Sequence, residues 1–119
     1  MKKITLSLCH FVTLSLFALC ANAATVPMNN AELVLLNKAS GKTATISAPV
    51  GTPVKHDKLE ITVRACHTNE PFAPADDFAF VEIETGGEQI FSGWMIRSNP
   101  GYNPVQNADY DVWIKGCLS

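Results

Sequence analysis

Leu59-Glu60-Ile61-Thr62-Val63-Arg64-Ala65-Cys66 is the stretch that decides the fold class. Leu59, Ile61, Val63 and Ala65 share one parity, and Glu60, Thr62, Arg64 and Cys66 share the other. Side chains alternate across a strand, so this pattern predicts a strand with one face in a core and one toward water. Downstream, His67 to Asp77 carries Pro71, Pro74 and Asp76-Asp77 and reads as a loop. Phe78 to Thr85 reads as a second strand, and Gly86-Gly87 turns it into Gln89 to Ile96 as a hairpin. Trp94 shares a parity with Ile90 and Ile96 and is expected in the core. Arg97 to Asp109, with Pro100-Gly101 and Pro104, is the longest loop. Tyr110 to Cys117 closes the pattern as a strand, with Tyr110, Val112 and Ile114 on one face.

Upstream, Ala31 to Lys38 is Leu-rich and is open to either a strand or a short helix. Lys38 to Lys42 reads as a hairpin turn, Thr43 to Ala48 as a β-branched strand, and Pro49 to Pro53 as a break. Six or seven short strands in under 100 residues predict an all-β fold. The expected form is a small antiparallel β-sandwich or partly open barrel.

The start of the 119-residue chain has a different character. Lys2-Lys3 precede an uncharged run from Ile4 to Leu19, and Ala21-Asn22-Ala23 follows. That order is a secretory signal cleaved after Ala23, which implies a periplasmic, exported protein. The run is shorter than the ~20 residues a spanning helix needs, so the mature form is expected not to span a membrane. Leu19 before Cys20 and Leu8 before Cys9 do not suit lipid attachment. The expected organisation is residues 1–23 as signal, 24–30 as a flexible tail and 31–119 as a single β domain.

Cleavage removes Lys2 and Lys3, leaving seven Lys and Arg against eleven Asp and Glu. Such an acidic domain without a basic cluster argues against nucleic acid and against anionic membranes. Cleavage also leaves two cysteines, Cys66 and Cys117. In an oxidising compartment an even pair predicts a disulfide. Both lie on the more polar parity at the end of their strands, so the sulfurs are expected on one side of a sheet. No Cys-x-x-Cys pattern marks a redox site.

The phrases Leu59 to Cys66, Phe91-Ser92-Gly93-Trp94-Met95 and Tyr110-Asp111-Val112-Trp113, with Cys117 following, resemble the family of domain of unknown function 2155 in exported alphaproteobacterial proteins. The resemblance runs from about Ala31 to Cys117. It carries no activity or catalytic residues with it. Through gene neighbourhood it implies an accessory role at a membrane complex of the respiratory chain.

Candidate chemistry is sparse. His56 and His67 with the two cysteines lack the short paired spacing of a zinc site. Ser92, His67 and Asp77 could form a triad only by distant juxtaposition, and Phe91-Ser92-Gly93 is not a nucleophile elbow. Asp76-Asp77 and Asp109-x-Asp111 lack the calcium-loop pattern. Neither metal, cofactor nor catalysis is expected. Trp113, between Asp111 and Lys115, is an indole on a charged face and suits contact with a protein or carbohydrate. With Arg97, Tyr102 and Asn103 of the preceding loop it forms the candidate binding surface. The expected function is a non-enzymatic interaction module with an envelope or inner-membrane protein partner. The alternative is a glycan- or peptidoglycan-binding module, and a hydrolase is the remote third.

Overall fold

In a computed structural model that describes residues 25–119, every regular element is a β-strand. They are β1 (Thr25–Pro27), β2 (Asn30–Asn37), β3 (Lys42–Pro49), β4 (Val54–His56), β5 (Leu59–Asn69), β6 (Asp77–Thr85), β7 (Glu88–Ile96) and β8 (Tyr110–Leu118). The signal expected over residues 1–23 lies outside the described residues. No described helix is long and apolar enough to cross a membrane.

The strands form two antiparallel sheets packed face to face, the sandwich that the alternation predicts. One sheet has the order β3-β2-β8. The other has the order β1-β5-β6-β7, with β4 beside the first residues of β5 and β1 beside its last. Leu33, Leu35, Val112 and Ile114 project inward from the smaller sheet, against Ile61, Val63, Val81 and Ile83 of the larger one. The Leu-rich segment left open between strand and helix is β2, paired on both edges. Thr25–Pro27, expected within a flexible tail, pairs with His67–Asn69. Both glycines of the β6–β7 turn have positive φ, at 60° and 82°. That is the left-handed backbone which a two-residue hairpin turn demands.

Three single-residue bulges alter the predicted faces. Between β5 and β6 the register shifts between Val63 and Ala65, leaving Arg64 as the extra residue. Between β2 and β8 it shifts past Lys115, and between β6 and β7 past Ile90. A bulge reverses the inside–outside parity of every residue beyond it. Arg64 therefore turns out to solvent and Cys66 turns into the core, although strict alternation places it on the polar face. Lys115 does the same for Cys117. The Cys66–Cys117 disulfide forms as expected, but between the two sheets within the core rather than on one side of a sheet.

The sandwich has two distinct ends. At the disulfide end lie β1, the β5–β6 loop, the start of the β7–β8 loop and the end of β8. At the far end lie the turns β2–β3, β4–β5 and β6–β7. The long loop Arg97–Asp109 runs from one end to the other. It is pinned midway by Val105 in the core, and at the far end by the Lys38 N–H donating to the Asp109 carbonyl (2.8 Å).

Candidate functional site

The outer face of the larger sheet is divided along its length. Toward the far end it is charged: Arg64 and Glu82 pair at 2.8 Å, flanked by Glu60 and Glu84. Toward the disulfide end it is apolar. Val81-Glu82-Ile83-Glu84 fixes the parity of β6: Val81 and Ile83 point inward, which places Ala79 inside and Phe78 and Phe80 outside. Across the β5–β6 ladder His67 faces Phe78, and across the β6–β7 ladder Ile96 faces Phe78 and Trp94 faces Phe80. All of these side chains therefore share one surface.

The rings pack on each other. The Phe80 and Trp94 centroids are 5.4 Å apart at 81°, and His67 meets Trp94 edge-on at 6.3 Å. Thr25 from β1 closes one flank, its hydroxyl 3.2 Å from His67 Nδ1. Tyr102 from the long loop closes another. The result is an open groove of about 480 Å³ lined by Thr25, His67, Phe78, Trp94, Ile96 and Tyr102. Trp94 remains 42% exposed and Tyr102 60% exposed. An expectation of Trp94 in the core is thus corrected. Phe91 and Met95 supply the inward residues of β7, and Trp94 stands on the opposite face.

Of the four residues singled out in the sequence, Tyr102 lines the groove. Asn103 supports it: its Nδ2 donates to the Trp94 carbonyl at 3.4 Å, and its side chain lies where a Cβ at position 93 would stand. Gly93 is therefore the residue that lets the loop approach β7 so closely. Arg97 has a fastening role. Its guanidinium is 3.6 Å from Asp77 Oδ2, and the same oxygen accepts from the Cys117 N–H at 3.0 Å. Trp113 is not part of the groove. It is half-buried on the smaller sheet, opposite Val34, on the other side of the sandwich. The face that strict alternation marks as charged is apolar at this point, because Val34 and Leu36 of β2 share it.

The Asp76-Asp77 pair is structural. Asp76 Oδ2 accepts from the Ser98 hydroxyl at 2.6 Å, and Oδ1 accepts from the N–H groups of Asp77 (2.9 Å) and Ser98 (3.0 Å). Desolvation pushes the Asp76 carboxyl up, but the Ser98 hydroxyl, these two N–H groups and the nearby Arg97 charge outweigh it and hold it below its ordinary value. His56 lies opposite Leu59 at the start of β5 and His67 lies near the other end of that strand, and both cysteine sulfurs are taken by the disulfide. Among the described residues no three His, Cys, Asp or Glu side chains gather as a metal site. A second cleft, of about 250 Å³, opens at the far end beside Asn37, Lys42, His56, Asp57 and Tyr110. There Asp57 accepts from Asn37 at 3.1 Å. Burial, then the Asp57 carboxylate beside it, pushes the Tyr110 phenol up, which disfavours a phenolate nucleophile.

Fold and site define a disulfide-bridged β-sandwich that carries an aromatic groove on an outer sheet face. Residues 31–117 match the model of a family described as "Uncharacterized protein conserved in bacteria (DUF2155)", and the chain belongs to that family. Neither a curated protein nor a solved structure matches it.

Proposed function

We propose that the protein is a non-enzymatic interaction module of the cell envelope, exported by its N-terminal signal, which grips a protein partner through the aromatic groove. The observation that carries this reading is the pair Trp94 and Tyr102. Both are large rings left in water beside further apolar lining, at the rim of a concavity. Aromatic anchors of this kind dominate the energetics of protein contacts. The chemistry of the lining favours a polypeptide segment over a glycan. Sugar sites combine a ring platform with several convergent polar groups, whereas here the lining offers the Thr25 hydroxyl, the His67 ring, the Tyr102 phenol and the Trp94 indole N–H, with no carboxylate, amide or guanidinium among its side chains. Membership of a membrane complex, as a respiratory accessory subunit, is the fullest form of this proposal.

The test is affinity purification after cross-linking in the periplasm of the native host. The expected result is a stoichiometric envelope partner that Trp94→Ala loses by ~10-fold or more and Trp113→Ala retains. Retention on isolated cell wall without any protein partner would replace this reading with the glycan one.

A further inference from the structure

We propose that the open edge of β3 is a second docking site, which takes an extended, uncharged polypeptide segment as a fourth strand of the smaller sheet. The inference goes beyond the groove and does not depend on what fills it. The ladder between β2 and β3 fixes which backbone groups face outward. The Val50 N–H donates to the Asn29 carbonyl (2.9 Å), and Asn30 lies opposite Pro49, which has no N–H to give. Bonded and non-bonded residues alternate along an antiparallel pair. Ala48, Ile46 and Ala44 therefore bond to β2, while Ser47, Thr45 and Thr43 turn their N–H and C=O groups away from it. β3 pairs with β2 alone, and among the described residues no turn or loop backbone bonds to those three. A row of unpaired groups of this kind is a template for another strand.

The other edges are guarded. β7 and β8 each carry a bulge, and Asn103 of the long loop occupies the Trp94 carbonyl. β1 and β4 are three residues each. From Thr43 to Ala48, β3 has no bulge, charge or proline. Charges border this run instead of filling it. Lys42 precedes it, Asp57 lies at the cleft beside Thr43, and Glu32 lies across the ladder from Ser47. Lys55 of β4 lies opposite Glu60 and shares its outward parity. The segment that fits along Thr43–Ser47 is therefore uncharged.

Packing supplies the side-chain chemistry. β8 packs over β6 and β3 over β5, so β4, on the edge of β5 away from β6, extends past β3. The smaller sheet is one strand short there. Ile46, Val50 and Val54 touch the core yet stay only partly covered. An antiparallel strand added along β3 places alternate residues beneath β4, where apolar side chains complete that cover. The residues opposite Thr43, Thr45 and Ser47 stand on the exposed, hydroxyl-bearing face. A whole second copy would bring its own β4 against this one, whereas a single extended strand fits beneath it.

The test is amide hydrogen exchange, read by NMR on the processed protein alone and with a short capped peptide that alternates threonine and valine. Alone, the Thr43, Thr45 and Ser47 amides are expected to exchange freely, and those of Ala44 and Ile46 slowly. Peptide is expected to slow the first three by ~10-fold or more, and Trp94→Ala to leave that protection unchanged. N-methylation of the peptide's threonine amides should abolish the protection, and N-methylation of its valine amides should retain it. Only residues directly opposite Thr43, Thr45 and Ser47 point their N–H groups at β3. Thr45→Pro should lose the peptide and keep its melting temperature, since the N–H it removes has no ladder partner. Slow exchange at Thr45 in the dilute protein alone, no protection by peptide at up to about 1 mM, or equal binding of the two methylated peptides would each overturn the proposal. Protection at Thr45 that needs no peptide and rises with protein concentration would overturn it too and make this edge a contact between copies.

Discussion

Replacing Cys66 and Cys117 together by alanine cuts the covalent tie between the two sheets. The cysteines are 51 residues apart, and the chain-entropy relation gives about 4 kcal/mol for closing a loop of that length in the unfolded state. Both sulfurs lie in the core, so their removal adds a packing loss of about 1 kcal/mol. A domain of this size has a total stability of roughly 5–15 kcal/mol, so the variant should lose a large share of it. At roughly 4–8 °C per kcal/mol for a small domain, the melting temperature should fall by more than about 15 °C. Urea unfolding of the oxidised wild type, the reduced wild type and the double variant separates the two terms. Reduction alone removes the tether, and the substitution removes the packing as well. A loss below about 1 kcal/mol in both would refute the reasoning, because the sheets would then hold together without the bridge.

Deleting Arg64 should be far more damaging than Arg64→Ala. The deletion removes the bulge and turns Cys66 out of the core, so thiol labelling without reduction should find two free cysteines, while Arg64→Ala keeps the disulfide. Asp76→Asn should flatten part of the acid limb of the stability curve. The folded carboxyl is held below its unfolded value, so its contribution is present above about pH 4, the unfolded value, and is lost as the pH falls through the folded one; unfolding midpoints measured from pH 7 to pH 2 check the sign. Gly93→Ala should cost under about 1 kcal/mol, since the Asn103 amide it meets is the movable end of a side chain. It should nonetheless weaken partner capture by displacing the loop that carries Tyr102, which pull-down against a matched melting curve would show.

The strands were legible because the apolar alternation of β5, β6 and β8 is strong, and Pro71 and Gly86 closely follow the first two. The bulges were not, because a single inserted residue leaves no compositional mark. Arg64 and Lys115 look like ordinary outward residues, yet they decide that Cys66 and Cys117 face the core. That is why the disulfide pairing could be read and its place between the sheets could not. The groove was half legible. Tyr102 and Asn103 stood out as loop residues, but Trp94 was masked because β7 is apolar on both faces, with Phe91 and Met95 inward and Trp94 and Ile96 outward. The usable signal lay one strand earlier. Val81-Glu82-Ile83-Glu84 sets a parity that sends Phe78 and Phe80 to the glutamate face, and two outward phenylalanines announce an apolar surface. Trp113 misled for the opposite reason: its charged sequence neighbours are not its spatial ones, since Val34 lies across the ladder.

The most direct test of the groove is site-specific photo-cross-linking in the periplasm of the native host, with a benzophenone side chain placed at Tyr102 and, separately, at Glu84 on the charged part of the same sheet face. The groove reading predicts one dominant protein adduct from position 102 and none from position 84. Equal labelling from both positions, or an adduct from position 84 alone, would contradict it.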